Sequence, residues 1–127
     1  MDAEQALSEL MELSSQITSA VVLDGDGAAV ASSGDPAAAS RLSVAALELV
    51  AAAADLGSEG RDVTRVEVEL DEGAIFVVRE SGHTVAAATG PSPTSGLVVY
   101  DLRTCARAIE APPAKKRRTR KPKEEAE

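Results

Sequence analysis

The sequence predicts an α/β (α+β) fold: a five-stranded antiparallel sheet that carries three helices. Residues 64–70 alternate between apolar and polar side chains, which is typical of an edge strand with one face in water. Residues 74–78 are apolar at successive positions, which indicates a strand covered on both faces. The turn Asp71-Glu72-Gly73 joins them as a hairpin, so a sheet edge and a sheet centre lie side by side.

The chain begins with a predicted helix from about Ala3 to Gln16. Asp2 and Gln5 have the spacing of a capping box, and apolar residues then recur at helical intervals up to Leu13. A central strand, apolar on both faces, is predicted from Ile17 to Leu23.

The glycine-containing turn 24–27 leads into a weaker strand over 28–33, and a second helix is predicted over roughly Pro36 to Leu56. Its charged residues Arg41, Glu48 and Asp55 are seven apart and share one narrow stripe. A surface helix needs only about a third of its circumference apolar, and this one has more. It is therefore either deeply buried in its own domain or covered by a second subunit, and the small size of the domain favours the subunit.

The last strand is predicted over Thr84 to Thr89, and a third helix from about Gly96 ends at Ala111-Pro112-Pro113. The strands that are apolar on both faces belong in the middle of the sheet. With hairpin neighbours kept adjacent, the predicted strand order is 2-1-5-4-3.

The charge divides the chain into a domain, 1–111, and a tail, 112–127. The tail carries seven Lys/Arg and three Glu, a net +4, so an overall charge of −8 leaves −12 on the domain. The tail composition is typical of disorder. The tail is expected either to fold back on its acidic domain or to bind DNA, RNA or anionic lipid without sequence preference. The basic residues concerned are Lys115, Lys116, Arg117, Arg118, Arg120, Lys121 and Lys123.

Neither a secretory signal nor a disulfide is expected, because the start Met1-Asp2-Ala3-Glu4 is acidic and the chain has one cysteine. The expected location is the cytoplasm.

No catalytic, cofactor or metal site is predicted. Asp24 and Asp26 lack the further ligands of a calcium loop and are interpreted as a structural turn. His83 is interpreted as an exposed turn residue without a catalytic partner, and Cys105 as a small buried hydrophobe. The protein is not expected to be an enzyme.

Four stretches together resemble the roadblock/dynein light chain family, over roughly Asp2 to Ala111. They are residues 20–27 (AVVLDGDG), Ser32-Ser33-Gly34, the alternating third strand, and residues 96–103 (GLVVYDLR). The resemblance implies the roadblock/longin-like fold, with the second helix on one face of the sheet and the other two helices on the opposite face. It also implies homodimers formed by edge-to-edge pairing of third strands and packing of second helices.

The resemblance further implies a protein that binds a Ras-like small GTPase or scaffolds a larger complex. The dimer interface is expected at Leu42, Ala46, Leu49, Val50, Ala53, Val66 and Val68, and the partner-binding stripe at Arg41, Glu48 and Asp55. The rival hypothesis is a dimeric platform that presents two basic tails to a polyanion such as nucleic acid.

Overall fold

The computed structural model of the chain describes residues 1–57 and 62–109, and within them the backbone forms three helices and five strands. The helices are α1 (Ala3–Leu13), α2 (Pro36–Leu56) and α3 (Ser95–Ala108). The strands are β1 (Ile17–Leu23), β2 (Ala29–Ser33), β3 (Arg65–Leu70), β4 (Gly73–Glu80) and β5 (His83–Thr89). The predicted boundary at 111/112 and the tail lie outside the described residues.

The strands form one antiparallel sheet in the order β2-β1-β5-β4-β3, as the sequence predicts. The order follows from which strand faces are apolar. Val21, Val22 and Leu23 of β1 are all fully buried, because this strand has a neighbour on each side and helices above and below. In β3 no side chain is fully buried, since this strand lies at an edge.

Helices cover both faces of the sheet. α1 and α3 pack on one face over Phe76, Val22, Val78 and Val85, and α2 packs on the other over Val21, Leu23, Val77 and Ala86. This is the layer arrangement that the family resemblance implies.

Local sequence signals set the helix starts. The Asp2 side chain accepts a hydrogen bond from the Gln5 backbone, and the Gln5 side chain accepts one from the Asp2 backbone, which completes the predicted capping box. Asp35 caps α2 and Pro36 occupies its first turn, where a missing N–H is harmless.

α1 ends three residues earlier than predicted. Ser14 has an extended backbone (φ −105°, ψ 112°), which turns the chain out of α1 towards β1, so the apolar spacing beyond Leu13 belongs to no helix. Leu13 is consequently 74% exposed rather than buried.

The end of the sheet that carries the β3–β4 turn is unusually tight at Gly73. A Cβ at this position would overlap the carbonyl oxygen of Thr89, so only glycine fits where β4 begins beside the end of β5.

Candidate partner-binding surface

The outward side of α2 combines charged and apolar residues. Arg41, Glu48 and Asp55 are all exposed, as predicted for one stripe. Val44 and Ala51 fall three or four residues from them and therefore share the same side of the helix. Val44 is 57% exposed and its neighbour Leu47 is 44% exposed, so large apolar side chains lie among the charges.

α2 is more exposed to solvent than a core helix of the same apolar composition would be. By length and composition alone α2 could cross a membrane, but a core helix passes the same test, and this one packs Ala39, Leu42 and Ala46 on the sheet. Only 17% of its most apolar stretch is buried. Most of the apolar surface of α2 is thus uncovered in the single chain.

The structure corrects two of the seven residues predicted for the dimer interface. Leu42 and Ala46 are 5% and 0% exposed, because they face the sheet of their own chain and have no surface to offer a second copy. Leu49, Val50 and Ala53 are half-buried on the flanks of α2. For these three residues, and for the β3 valines described next, the interface role stays a prediction.

The apolar face of β3 is turned towards α2 but is only partly covered by it. Val66 and Val68 are half-buried, and Leu70, which continues their face, is 52% exposed. Val68 lies opposite Ile75 of β4, which is also only half-buried. The partly covered strand and the outward side of α2 make up what we call the α2/β3 surface, consisting of Arg41, Val44, Leu47, Glu48, Leu49, Val50, Ala51, Ala53, Asp55, Val66, Val68, Leu70 and Ile75.

The backbone of β3 offers hydrogen-bonding groups to a further strand. The Arg79 amide donates to the Thr64 carbonyl oxygen at 3.0 Å, and the register continues from there without interruption. Because antiparallel ladders alternate, Val66 and Val68 direct their N–H and C=O groups to β4. Arg65, Glu67 and Glu69 therefore direct theirs to the open edge, where no strand pairs within 1–57 and 62–109.

The side chains at this edge are charged. Arg65 Nε lies 3.2 Å from Glu67 Oε2, with side chains 50% and 35% exposed. Charges of this kind keep an open strand edge from pairing indiscriminately.

Sequence reasoning did not select Val44, Leu47 or Leu70 as site residues. For Val44 a signal existed, because it lies midway between Arg41 and Glu48 at helical spacing. For Leu70 the signal was its shared parity with Val66 and Val68.

A cleft of about 520 Å³ lies at the end of the sheet where the β1–β2 and β4–β5 turns meet. Asp24 lies in it, and its Oδ1 accepts hydrogen bonds from the amides of Asp26 (2.9 Å) and Ala28 (3.0 Å). The Ala28 bond, then the Asp26 bond, lower the pKa of Asp24. The Asp24 carboxylate thus stabilises the predicted structural turn. No cluster of three metal-ligating side chains occurs among the residues that the structure describes.

His83 also borders this cleft. It is the first residue of β5 and is half-buried, with Nδ1 3.3 Å from the Ser81 carbonyl oxygen. It is therefore a strand residue, and its interpretation as an exposed turn residue is wrong.

Cys105 is buried in α3, as predicted, and burial raises the pKa of its thiol to about 11. A thiol with this pKa is protonated at neutral pH and is a poor nucleophile. The basic residues predicted to bind polyanions, 115–123, lie outside the described part of the chain.

Comparisons with known proteins agree with this architecture. A family model described as the Roadblock/LC7 domain matches residues 3–89. A crystal structure of a Roadblock/LC7 domain from Streptomyces avermitilis is similar at 28% identity and a TM-score of 0.72, over 85% of this chain and 94% of that one. No curated protein matches the chain.

More distant structures share the fold. A structure of MglB in a tetrameric arrangement has 15% identity and a TM-score of 0.61, over 84% of each chain. The gliding protein MglB from Thermus thermophilus has 15% identity and a TM-score of 0.57, over 83% of this chain and 86% of that one. With the family match extending over all five strands and both α1 and α2, the chain belongs to the Roadblock/LC7 domain family.

Proposed function

We propose that the protein is a non-enzymatic, cytoplasmic homodimer that binds a Ras-like small GTPase and influences its nucleotide state. The observation that carries the proposal is the α2/β3 surface, in which an open strand edge lies beside a helix with exposed Val44 and Leu47. Pairing of two β3 edges would satisfy the outward-facing backbone groups, and packing of two α2 helices would cover the apolar side chains.

We propose a register for this pairing that is centred on Glu67 and keeps most of β3 in the ladder. If the two-fold axis passes through Glu67, Arg65 of each chain lies opposite Glu69 of the other, so two attractive pairs flank one Glu67–Glu67 pair on the axis. A register centred on Val68 would instead place Glu67 opposite Glu69 twice, and its Arg65–Asp71 pairs would involve a residue of the β3–β4 turn. Centring on Glu67 also exchanges the outward N–H and C=O groups of Arg65, Glu67 and Glu69 between the two chains.

Binding of a GTPase is supported by family membership and by the charged part of the α2 stripe. Arg41, Glu48 and Asp55 are exposed and have no ion-pair partner within 1–57 and 62–109. A GTPase that pairs with these three residues would have its switch loops held in one arrangement. Holding the loops in this way alters nucleotide turnover without a catalytic residue from this chain. MglB, a protein described as a gliding protein, shares the fold of this chain.

The proposed domain extends over residues 1–111. The family match ends at Thr89, but α3 buries Val98, Leu102 and Ala106 against the same sheet and so belongs to the same unit. Residues 112–127 form the separate basic tail of the proposal.

The test is recovery of a Ras-like GTPase from native lysate on the full-length protein, with a GTP analogue or GDP added, read by mass spectrometry. The combined variant Arg41→Glu, Glu48→Arg, Asp55→Arg should lose the GTPase, because each charge in the stripe is reversed. Glu12→Arg is the matched control, since it changes the net charge by the same +2 on the opposite face. Equal recovery on the reversed stripe would remove this surface from the proposal.

The rival function, polyanion binding by two tails, rests on the seven Lys/Arg of residues 115–123. Deleting residues 115–127 distinguishes the two functions. If the protein binds a GTPase through its domain, recovery of the GTPase should be unchanged by the deletion. If the protein binds only nucleic acids through its tail, the deletion should abolish all binding.

A further inference from the structure

A groove of about 250 Å³ runs between α1 and α3, on the face of the sheet opposite the α2/β3 surface. Its floor is apolar, and it includes Ala6 and Leu10 of α1 with Cys105 and Ala108 of α3. Glu9 and Asp101 are the acidic residues among its lining, and Tyr100 and Leu13 lie at its far end. Their side chains are 64% and 74% exposed, so nothing covers that end within the described chain.

The chain leaves the described structure at the near end of this groove. The amino terminus donates a hydrogen bond to the Ala108 carbonyl oxygen at 3.1 Å, so the start of α1 lies against the end of α3 and the two helices are antiparallel. From Ala108 to Tyr100 the groove extends about 12 Å along α3 at the helical rise of about 1.5 Å per residue. Residues 110–115 span at most about 20 Å when extended, so the basic residues after them are within reach of all of it.

The charges of the groove are complementary to those of the tail. Glu9 and Asp101 form no ion pair within residues 1–57 and 62–109. The arginines of α3 do not neutralise them, because Arg107 Nε (2.7 Å) and Arg103 Nη1 (3.4 Å) both bind the carboxylate of Glu80. Within the described part of the chain, the groove thus presents carboxylates without ion-pair partners above an apolar floor.

We propose that residues 115–123 of the tail dock in the α1/α3 groove of their own chain. Lys and Arg side chains suit this site because their aliphatic stems cover apolar surface while their charged ends reach carboxylates at the rim. The open ring of Tyr100 adds a face on which an arginine or lysine stacks. A docked tail is withheld from polyanions, and release requires salt or a competing ligand.

The chain contains a built-in reporter of this contact. Tyr100 is its single tyrosine and it has no tryptophan, so intrinsic fluorescence reports on the groove alone. Quenching by neutral acrylamide measures how accessible the ring is. For the full-length protein, raising the salt from 20 mM to 1 M should increase the quenching constant by at least about twofold, because the Debye length falls from roughly 20 Å to 3 Å.

Two sets of variants separate docking from a general salt effect. Lys115→Gln, Lys116→Gln, Arg117→Gln, Arg118→Gln in one full-length chain should show the high quenching constant already at 20 mM salt. Glu9→Lys with Asp101→Lys should do the same from the groove side. Glu72→Lys, an exposed charge reversal in the β3–β4 turn, is the control and should behave as wild type.

Equal quenching of the wild type and the tail variant at 20 mM salt would overturn the proposal and leave the groove open to another protein. The tail variant decides this alone should the groove variant fail to fold. A quenching constant that changes between about 1 and 100 μM protein would also overturn it, since docking within one chain is independent of concentration.

Discussion

The two faces of the sheet are covered to different extents, and β4 shows the difference between neighbouring residues. Phe76 points to the α1/α3 face and is 1% exposed, whereas Ile75 points to the α2 face and is only half-buried. Among the described residues, the buried cluster under α1 and α3 has seventeen members and the one under α2 has seven, so α2 alone covers its face less completely than α1 and α3 cover theirs.

The comparison supports the proposal that a second copy of the chain completes the α2 face. The apolar side chains of β3 on the α2 side are only partly covered, while the β4 residues on the α1/α3 side, Ala74, Phe76 and Val78, are buried. In the proposed dimer, the α1/α3 face is buried within one chain, whereas full burial of the α2 face requires association.

The largest effect is expected on the face of the sheet that α1 and α3 cover. Phe76→Ala should lower the free energy of unfolding by about 3–5 kcal/mol, because the buried ring leaves a cavity that its neighbours fill only in part. Chemical denaturation measures it. Leu97→Ala, at a side chain that is 50% exposed, is the control and should change the free energy of unfolding by less than about 0.5 kcal/mol. A loss below about 1 kcal/mol for Phe76→Ala would mean that the two faces do not differ in the way described.

Changes on the α2 face are expected to have a smaller effect on folding but a large effect on association. Val44→Glu with Leu47→Glu should weaken dimerisation by about 100-fold or more, since burying unpaired carboxylates costs several kcal/mol. Sedimentation equilibrium measures the change. Leu97→Glu on α3, a single change of the same kind at a similarly exposed residue, is the control and should leave association unchanged. Association that survives the α2 changes and fails in the control would place the interface on the other face.

The smallest effect concerns the register of β3. Arg65→Glu should weaken the dimer by roughly tenfold, because two cross-strand attractions, each worth about 0.2–1 kcal/mol, become repulsions. Adding Glu69→Arg restores opposite charges in the proposed register and should recover most of the affinity. If the double variant is weaker than Arg65→Glu alone, the strands pair in another register.

Much of the fold could be predicted from sequence because burial leaves a pattern. β1 is apolar at both parities and β3 at one, and these two facts fix the centre and an edge of the sheet. The end of α1 could not be predicted in this way. The helical spacing of apolar residues continues past Leu13, and the extended backbone at Ser14 leaves no mark in that spacing.

The candidate surface was harder to predict for a related reason. α2 is rich in Ala, Leu and Val all round, so composition alone does not reveal which of them face the sheet. Leu42 and Ala46 were assigned outward and proved buried, whereas Val44 between them is exposed. A helix with a weak polar face gives its orientation only once it is packed.

The most direct test of the account is hydrogen exchange at single backbone amides of β3, followed by NMR at a concentration where the protein associates. In a dimer paired through β3, the amides of Arg65, Glu67 and Glu69 bond to the second chain and should exchange as slowly as those of Val66 and Val68. Slow exchange at Val66 and Val68 with fast exchange at Arg65, Glu67 and Glu69 would show an open edge and contradict the proposed dimer.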